Sequence, residues 1–119
     1  MATIVHFDIS ADNPDRAKEF YEKLFHWKFT FLPDPMNYYL IETTDLKNQK
    51  GIGGGMAKRE NEEQKEMVNF IGAGSIDESI VLSQKLGAKI IQDKQAVPGY
   101  GYLAVCIDTE NNLFGLFQR

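Results

Sequence analysis

Cysteine is almost absent from this 119-residue chain. Cys106 is the only one, so no disulfide can close within the chain and no Cys-based zinc cluster can form. Histidine is nearly as scarce, with only His6 and His26 to offer an imidazole. No basic tract is present, and the formal net charge is −4. That balance argues against nucleic acid as a partner, because sequence-independent binding needs a positive footprint. No apolar run approaches the roughly 18 residues of a membrane span. The segment Met1 to Ser10 lacks a basic start and carries Asp8, which is unlike a signal peptide. The expectation is a cytoplasmic protein with no membrane partner. What is present is an ordinary globular composition, 43% hydrophobic and 25% charged, enough for one domain with one core.

Thr3 to Ile9 alternates polar and apolar residues with period two and reads as a strand. Asn13 then offers a cap and Pro14 a first helical position that needs no N–H. Ala17, Phe20, Tyr21, Leu24 and Phe25 recur at helical spacing and form one apolar face, so a helix is expected over Pro14 to Phe25. His26 follows, at a place where a left-handed cap suits it. Strands are expected at Trp27 to Leu32, at Asn37 to Thr43 and at Gly51 to Met56. The last of these is four-sixths glycine. Its spacing is not that of a phosphate loop, and the expectation is a strand whose missing side chains admit something lying close against the backbone. Ala57 to Glu66 is a run of charge with almost no apolar anchor and reads as a solvated linker.

The pattern then starts again. Met67 to Ala73 is strand-like, and Ser75 with Glu78 makes a capping box for a helix that Gly87 ends. Strands are expected at Ala88 to Gln92, Tyr100 to Ile107 and Leu113 to Gln118. The order strand, helix, strand, strand, strand thus occurs twice, and such a repeat determines architecture. A single α+β domain over 1–119 follows, with modules at 1–56 and 67–119 joined by the linker at 57–66. A ferredoxin-like order would leave three strand signals unused. Two βαβββ modules side by side form a cupped mixed β-sheet, helices outside, around a groove lined by alternate strand residues.

Three stretches carry a family resemblance. The first runs from Ile4-Val5-His6-Phe7 through Phe20-Tyr21 to Leu24-Phe25-His26-Trp27-Lys28. The second is the capped helix from Ser75 to Gly87. The third is Gly101 to Ala104 followed by Asp108-Thr109-Glu110-Asn111-Asn112-Leu113-Phe114-Gly115-Leu116. Together they resemble the vicinal oxygen chelate superfamily of glyoxalase I, bleomycin-resistance proteins and extradiol dioxygenases. The resemblance implies the cupped pair of modules. In the superfamily's metalloenzymes it also implies a divalent metal held at four strand positions. His6 stands at the first of these. The second falls in Gly54-Gly55-Met56, the third near Val68 and the fourth on Gly115, none of which offers a carboxylate or imidazole. Three protein ligands are the usual minimum for zinc.

The leading expectation is therefore a small, partly hydrophobic or aromatic ligand bound in the cup without the usual metal. By alternation His6, Tyr38, Leu40, Met56, Phe70 and Tyr102 face it, with Ala104 and Gly115. The rival reading of Tyr38 and Tyr102 is core filling. The alternative function is a divergent metal-dependent lyase, isomerase or dioxygenase that recruits Glu42, Asp8 or a partner chain beside His6. Asp8 lies two residues from His6 on the same strand face, about 7 Å along, so the two can converge. Resemblance to the bleomycin-resistance proteins implies a homodimer. Cys106, between Val105 and Ile107, reads as a small buried apolar group, and Trp27 as a core or interface anchor.

Overall fold

A computed structural model describes residues 2–61 and 65–119. Its elements follow the expected order: β1 (Ile4–Ala11), α1 (Pro14–Phe25), β2 (Lys28–Leu32), β3 (Tyr38–Glu42), β4 (Gly53–Lys58), β5 (Val68–Gly72), α2 (Ile76–Lys85), β6 (Lys89–Val97), β7 (Gly101–Ile107) and β8 (Leu113–Gln118). The chain divides into two units, His6–Met67 and Val68–Arg119, the latter with the chain start through Val5. Two boundaries differ from expectation. β4 continues through Lys58, and Arg59 N–H donates to Ala11 O at 2.8 Å, so the supposed linker begins in paired strand. Its residues 62–64 lie outside the described residues. β6 is nine residues long, far beyond Gln92, and carries register shifts that bend it against β7.

In the first unit the strand order is β2-β3-β4-β1, with β1 and β4 parallel and the other pairs antiparallel. Asn13 is extended and its side chain accepts the Arg16 N–H at 3.1 Å, which satisfies one of the helix's orphan donors. His26 closes α1 at φ 59°, its N–H donating to Glu22 O at 3.0 Å. Phe7, Ala11, Ile41 and Met56 form the core under α1, supported by Ala17, Trp27 and Phe29. Trp27 anchors it, with its ring 5.1 Å from Tyr21 and 5.5 Å from Phe7. The apolar face of α1 is only partly used. No α1 residue is fully buried, and Phe20, Leu24 and Phe25 stay more than half exposed.

In the second unit the order is β5-β8-β7-β6, with β5 and β8 parallel. Ile76, Ala104, Cys106 and Leu116 are the core, packed by Ile80, Ile90 and Phe114. Ser75 Oγ accepts the Glu78 N–H at 3.2 Å, and Gln118 Oε1 accepts the Ile76 N–H at 2.8 Å, so α2 is capped from both its own chain segment and β8. Gly87, at φ +107°, supplies the turn after α2.

Both units repeat one loop. Asp45 Oδ1 accepts the N–H groups of Lys47 and Gln49 at 2.8 and 2.9 Å, and Asn48 is left-handed at φ 61°. Asp108 Oδ1 accepts those of Glu110 and Asn112 at 2.8 and 2.9 Å, and Asn111 is left-handed at φ 66°. The two loops join β3 to β4 and β7 to β8, equivalent places in the repeat. Asp and Asn recur there because a short carboxylate can gather backbone donors and Asn tolerates positive φ.

Candidate functional site

The glycines of β4 organise the first unit's candidate site. Register pairs His6 with Gly53, Phe7 with Gly54 and Asp8 with Gly55, while β3 sets Leu40 opposite Gly55 and Ile41 opposite Gly54. Paired residues share a face. One face therefore carries Phe7, Ile41 and Met56 toward α1, and the other carries His6, Asp8, Leu40 and Tyr38. Each face uses one missing side chain. A Cβ on Gly54 would strike the Phe7 ring, and a Cβ on Gly55 would strike the Tyr38 hydroxyl and ring. The expected close approach to the backbone is thus made by the fold's own aromatic rings.

Lying across Gly55, Tyr38 reaches β1. Its hydroxyl donates to Asp8 Oδ1 at 2.7 Å, and His6 Nε2 stands 3.0 Å from the same oxygen and 3.1 Å from the Tyr38 hydroxyl. The phenol has a single proton and gives it to Asp8, so the imidazole must bring its own proton on Nε2 to satisfy both contacts. Asp8 Oδ1 thereby takes two hydrogen bonds, while its other oxygen, Oδ2, has no partner among the described residues. The His6 and Asp8 side chains are 28% and 32% exposed, which leaves them within reach of a ligand. The arrangement can accept a hydrogen bond from a ligand O–H or N–H at Oδ2, beside the apolar surface of Leu40.

The expected site residues fall in both units. His6, Tyr38 and Leu40 lie together as expected, and Asp8 joins them as the acceptor at their centre. Met56 does not. It pairs with Ile9 and Tyr39, lies on the α1 face and is wholly buried, because alternation along β4 puts Gly55, not Met56, beside His6. Phe70 belongs to the second unit, where it is buried with its ring over Gly115, which it pairs with. Tyr102 has the parity of Ala104 and Cys106 and so takes the α2 side of that sheet, at the start of β7, with Lys94 Nζ 4.6 Å from its ring centre. Ala104 is core. The signal that could have found the Asp8 group was the pairing of a Gly-rich strand with a large aromatic on the neighbouring strand, which only the register reveals.

The side chains that could ligate a metal are engaged with protein partners. His6 Nε2 and Asp8 Oδ1 spend their contact on each other, and Glu42 lies across from Lys28, whose Nζ is 3.6 Å from its Oε2. Among the described residues no three His, Cys, Asp or Glu side chains are grouped to hold an ion. No helix among them is long and apolar enough to cross a membrane.

No family model and no curated protein sequence matches the chain. Solved structures do. A hypothetical protein of Bacillus halodurans C-125 superposes with a TM-score of 0.70 at 15% identity, covering 99% of this chain and 94% of that one. A variant of Streptomyces coelicolor methylmalonyl-CoA epimerase, in complex with 2-nitronate-propionyl-CoA, superposes with a TM-score of 0.72 at 13% identity, covering 98% of this chain and 93% of that one. A methylmalonyl-CoA epimerase holding methylmalonyl-CoA and an ammonium ion gives 0.70 at 14% identity, covering 99% and 94%. At such identities the likeness is one of fold, and it agrees with the order of elements and the doubled βαβββ unit: this chain has the α+β fold of the vicinal oxygen chelate, glyoxalase-like proteins.

Proposed function

We propose that this protein binds a small, partly hydrophobic or aromatic molecule through His6, Asp8 and Tyr38, without the metal usual in its fold's enzymes. The observation that carries the reading is Asp8 Oδ2, half of a carboxylate whose other half is saturated by two donors. Such an acceptor on a sheet face selects a ligand with a hydroxyl or amine donor, and Leu40 and the Tyr38 ring offer its apolar body a surface. The absence of a metal is supported by the donors' engagement with one another. Binding of phenol and benzylamine by the full chain, followed through Tyr38 and His6 resonances, tests it. Saturable binding that Asp8→Ala abolishes is expected; binding indifferent to that change overturns the reading. Metal analysis of protein purified without chelator is the second test. Less than stoichiometric metal is expected, and a stoichiometric divalent ion lost on His6→Ala would restore a metal-dependent lyase, isomerase or dioxygenase.

We also propose a homodimer. Phe25 and Phe31, the latter on edge strand β2, remain 52% and 50% exposed, and apolar surface of that kind beside an unpaired strand edge favours association.

A further inference from the structure

A groove of about 420 Å³ opens in the first unit where the ends of β1 and β4 meet the first turns of α1. None of its lining residues belongs to the His6–Asp8–Tyr38 site. Ile9, Phe20 and Tyr21 form an apolar wall. The two rings meet edge to face at 5.2 Å, and Tyr21 is held in place by its stack on Trp27. Phe20 is 58% exposed although it lies on the apolar side of its helix.

The rim is charged and unevenly satisfied. Arg59 is 16% exposed and fixed: Nη1 pairs with Asp12 Oδ2 at 3.0 Å, Nη2 donates to Ser10 O at 3.1 Å and Nε to Ser10 Oγ at 3.4 Å. Arg16 differs. Only its backbone N–H is engaged, by Asn13, and its guanidinium has no partner among the described residues. With Asp12 matched to Arg59, the rim keeps one positive charge in a chain of net charge −4. The neighbouring carboxylate Asp15 does not line the groove and accepts the Tyr39 hydroxyl.

We propose that this groove is a binding site for a small monocarboxylate with an aromatic body. The carboxylate pairs with Arg16, whose fork matches two carboxylate oxygens, and the ring lies on Phe20 and Tyr21. A single uncompensated charge suits a monoanion. The groove's volume lies in the range of roughly 300–1,000 Å³ usual for small-ligand sites.

Titrating the full ¹⁵N-labelled chain with benzoate tests the site. Saturable shifts are expected at the Ser10, Asn13 and Ala17 amides. Arg16→Gln should weaken binding about tenfold, the worth of one charge-assisted hydrogen bond, with the spectrum otherwise unchanged because that guanidinium holds nothing. Phe20→Ser should weaken benzoate and leave acetate, already weaker, where it was. The proposal is overturned by no saturation, by saturation that Arg16→Gln leaves intact, or by phosphate binding as tightly as benzoate. Shifts centred on His6 and Asp8 would assign benzoate to the other site and also overturn it here.

Discussion

At the scale of single residues, two adjacent glycines behave differently because of what lies over them. Gly54 is covered by the ring of Phe7, itself wedged in the core against Trp27, so an added methyl has nowhere to push it. Gly55 is covered by the outer end of Tyr38, the far end of a side chain and outside the buried core cluster that holds Phe7. Gly54→Ala should therefore cost the larger stability loss, in the range of about 1–3 kcal/mol for overpacking. Gly55→Ala should cost less but displace the phenol from Asp8 and His6. Denaturant unfolding of the two variants, with Tyr38 and His6 chemical shifts, separates them; equal losses with an intact triad would refute the account. Cys106 offers a second test. Burial raises its thiol pKa. The folded state then keeps a proton that the unfolded thiol loses above a pKa of about 8.5, so this residue's contribution is retained below that pH and lost as pH rises beyond it. A Cys106→Ala variant should lose less stability between neutral and alkaline pH than the parent, and the parent's thiol should react with disulfide reagents only on unfolding.

At the scale of elements, caps and loops hold the repeat. Removing the Asn13 or Ser75 side chain should each cost about 1 kcal/mol, measured by chemical denaturation, since each carries one otherwise orphaned N–H at the start of its helix. Asp108 gathers the backbone donors of Asn112 and Glu110, which lowers its pKa below the ordinary carboxylate range. Its stabilisation is therefore present above the unfolded pKa, near 3.9, and is lost as pH falls through the lower folded value. A carboxyl titration by NMR should place the Asp108 midpoint below that of a free aspartate, and Asp108→Ala should remove its share of the acid sensitivity. Most of these elements were legible in the residues. Asn13-Pro14, His26, Ser75 with Glu78 and Gly87 mark helix ends by local chemistry, which tertiary contacts do not overrule. β6 was not legible beyond Gln92, because Asp93-Lys94-Gln95 has no apolar alternation and is held as strand by pairing with β7.

At the scale of the whole molecule, the dimer is the quantity most open to test. Light scattering at high protein concentration should give twice the 13.5 kDa chain mass, and a persistent monomer would remove the homodimer. Charged substitution at Phe31 should shift the mass toward the monomer, because the exposed edge of β2 is where apolar surface and unpaired backbone coincide.

The sequence by itself determined the doubled βαβββ order and the helix ends, because periodicity and caps are local properties. It also placed His6, Tyr38 and Leu40 on one face. It misplaced Met56, Tyr102 and Ala104, because a side chain's face depends on register, and one residue of slip along a strand reverses it. Only the tertiary structure decided that Gly55 leaves room for Tyr38. That gap lets a phenol from β3 cross β4 to reach Asp8 on β1, and it turns two separated polar residues into one hydrogen-bonded group with a carboxylate oxygen to spare.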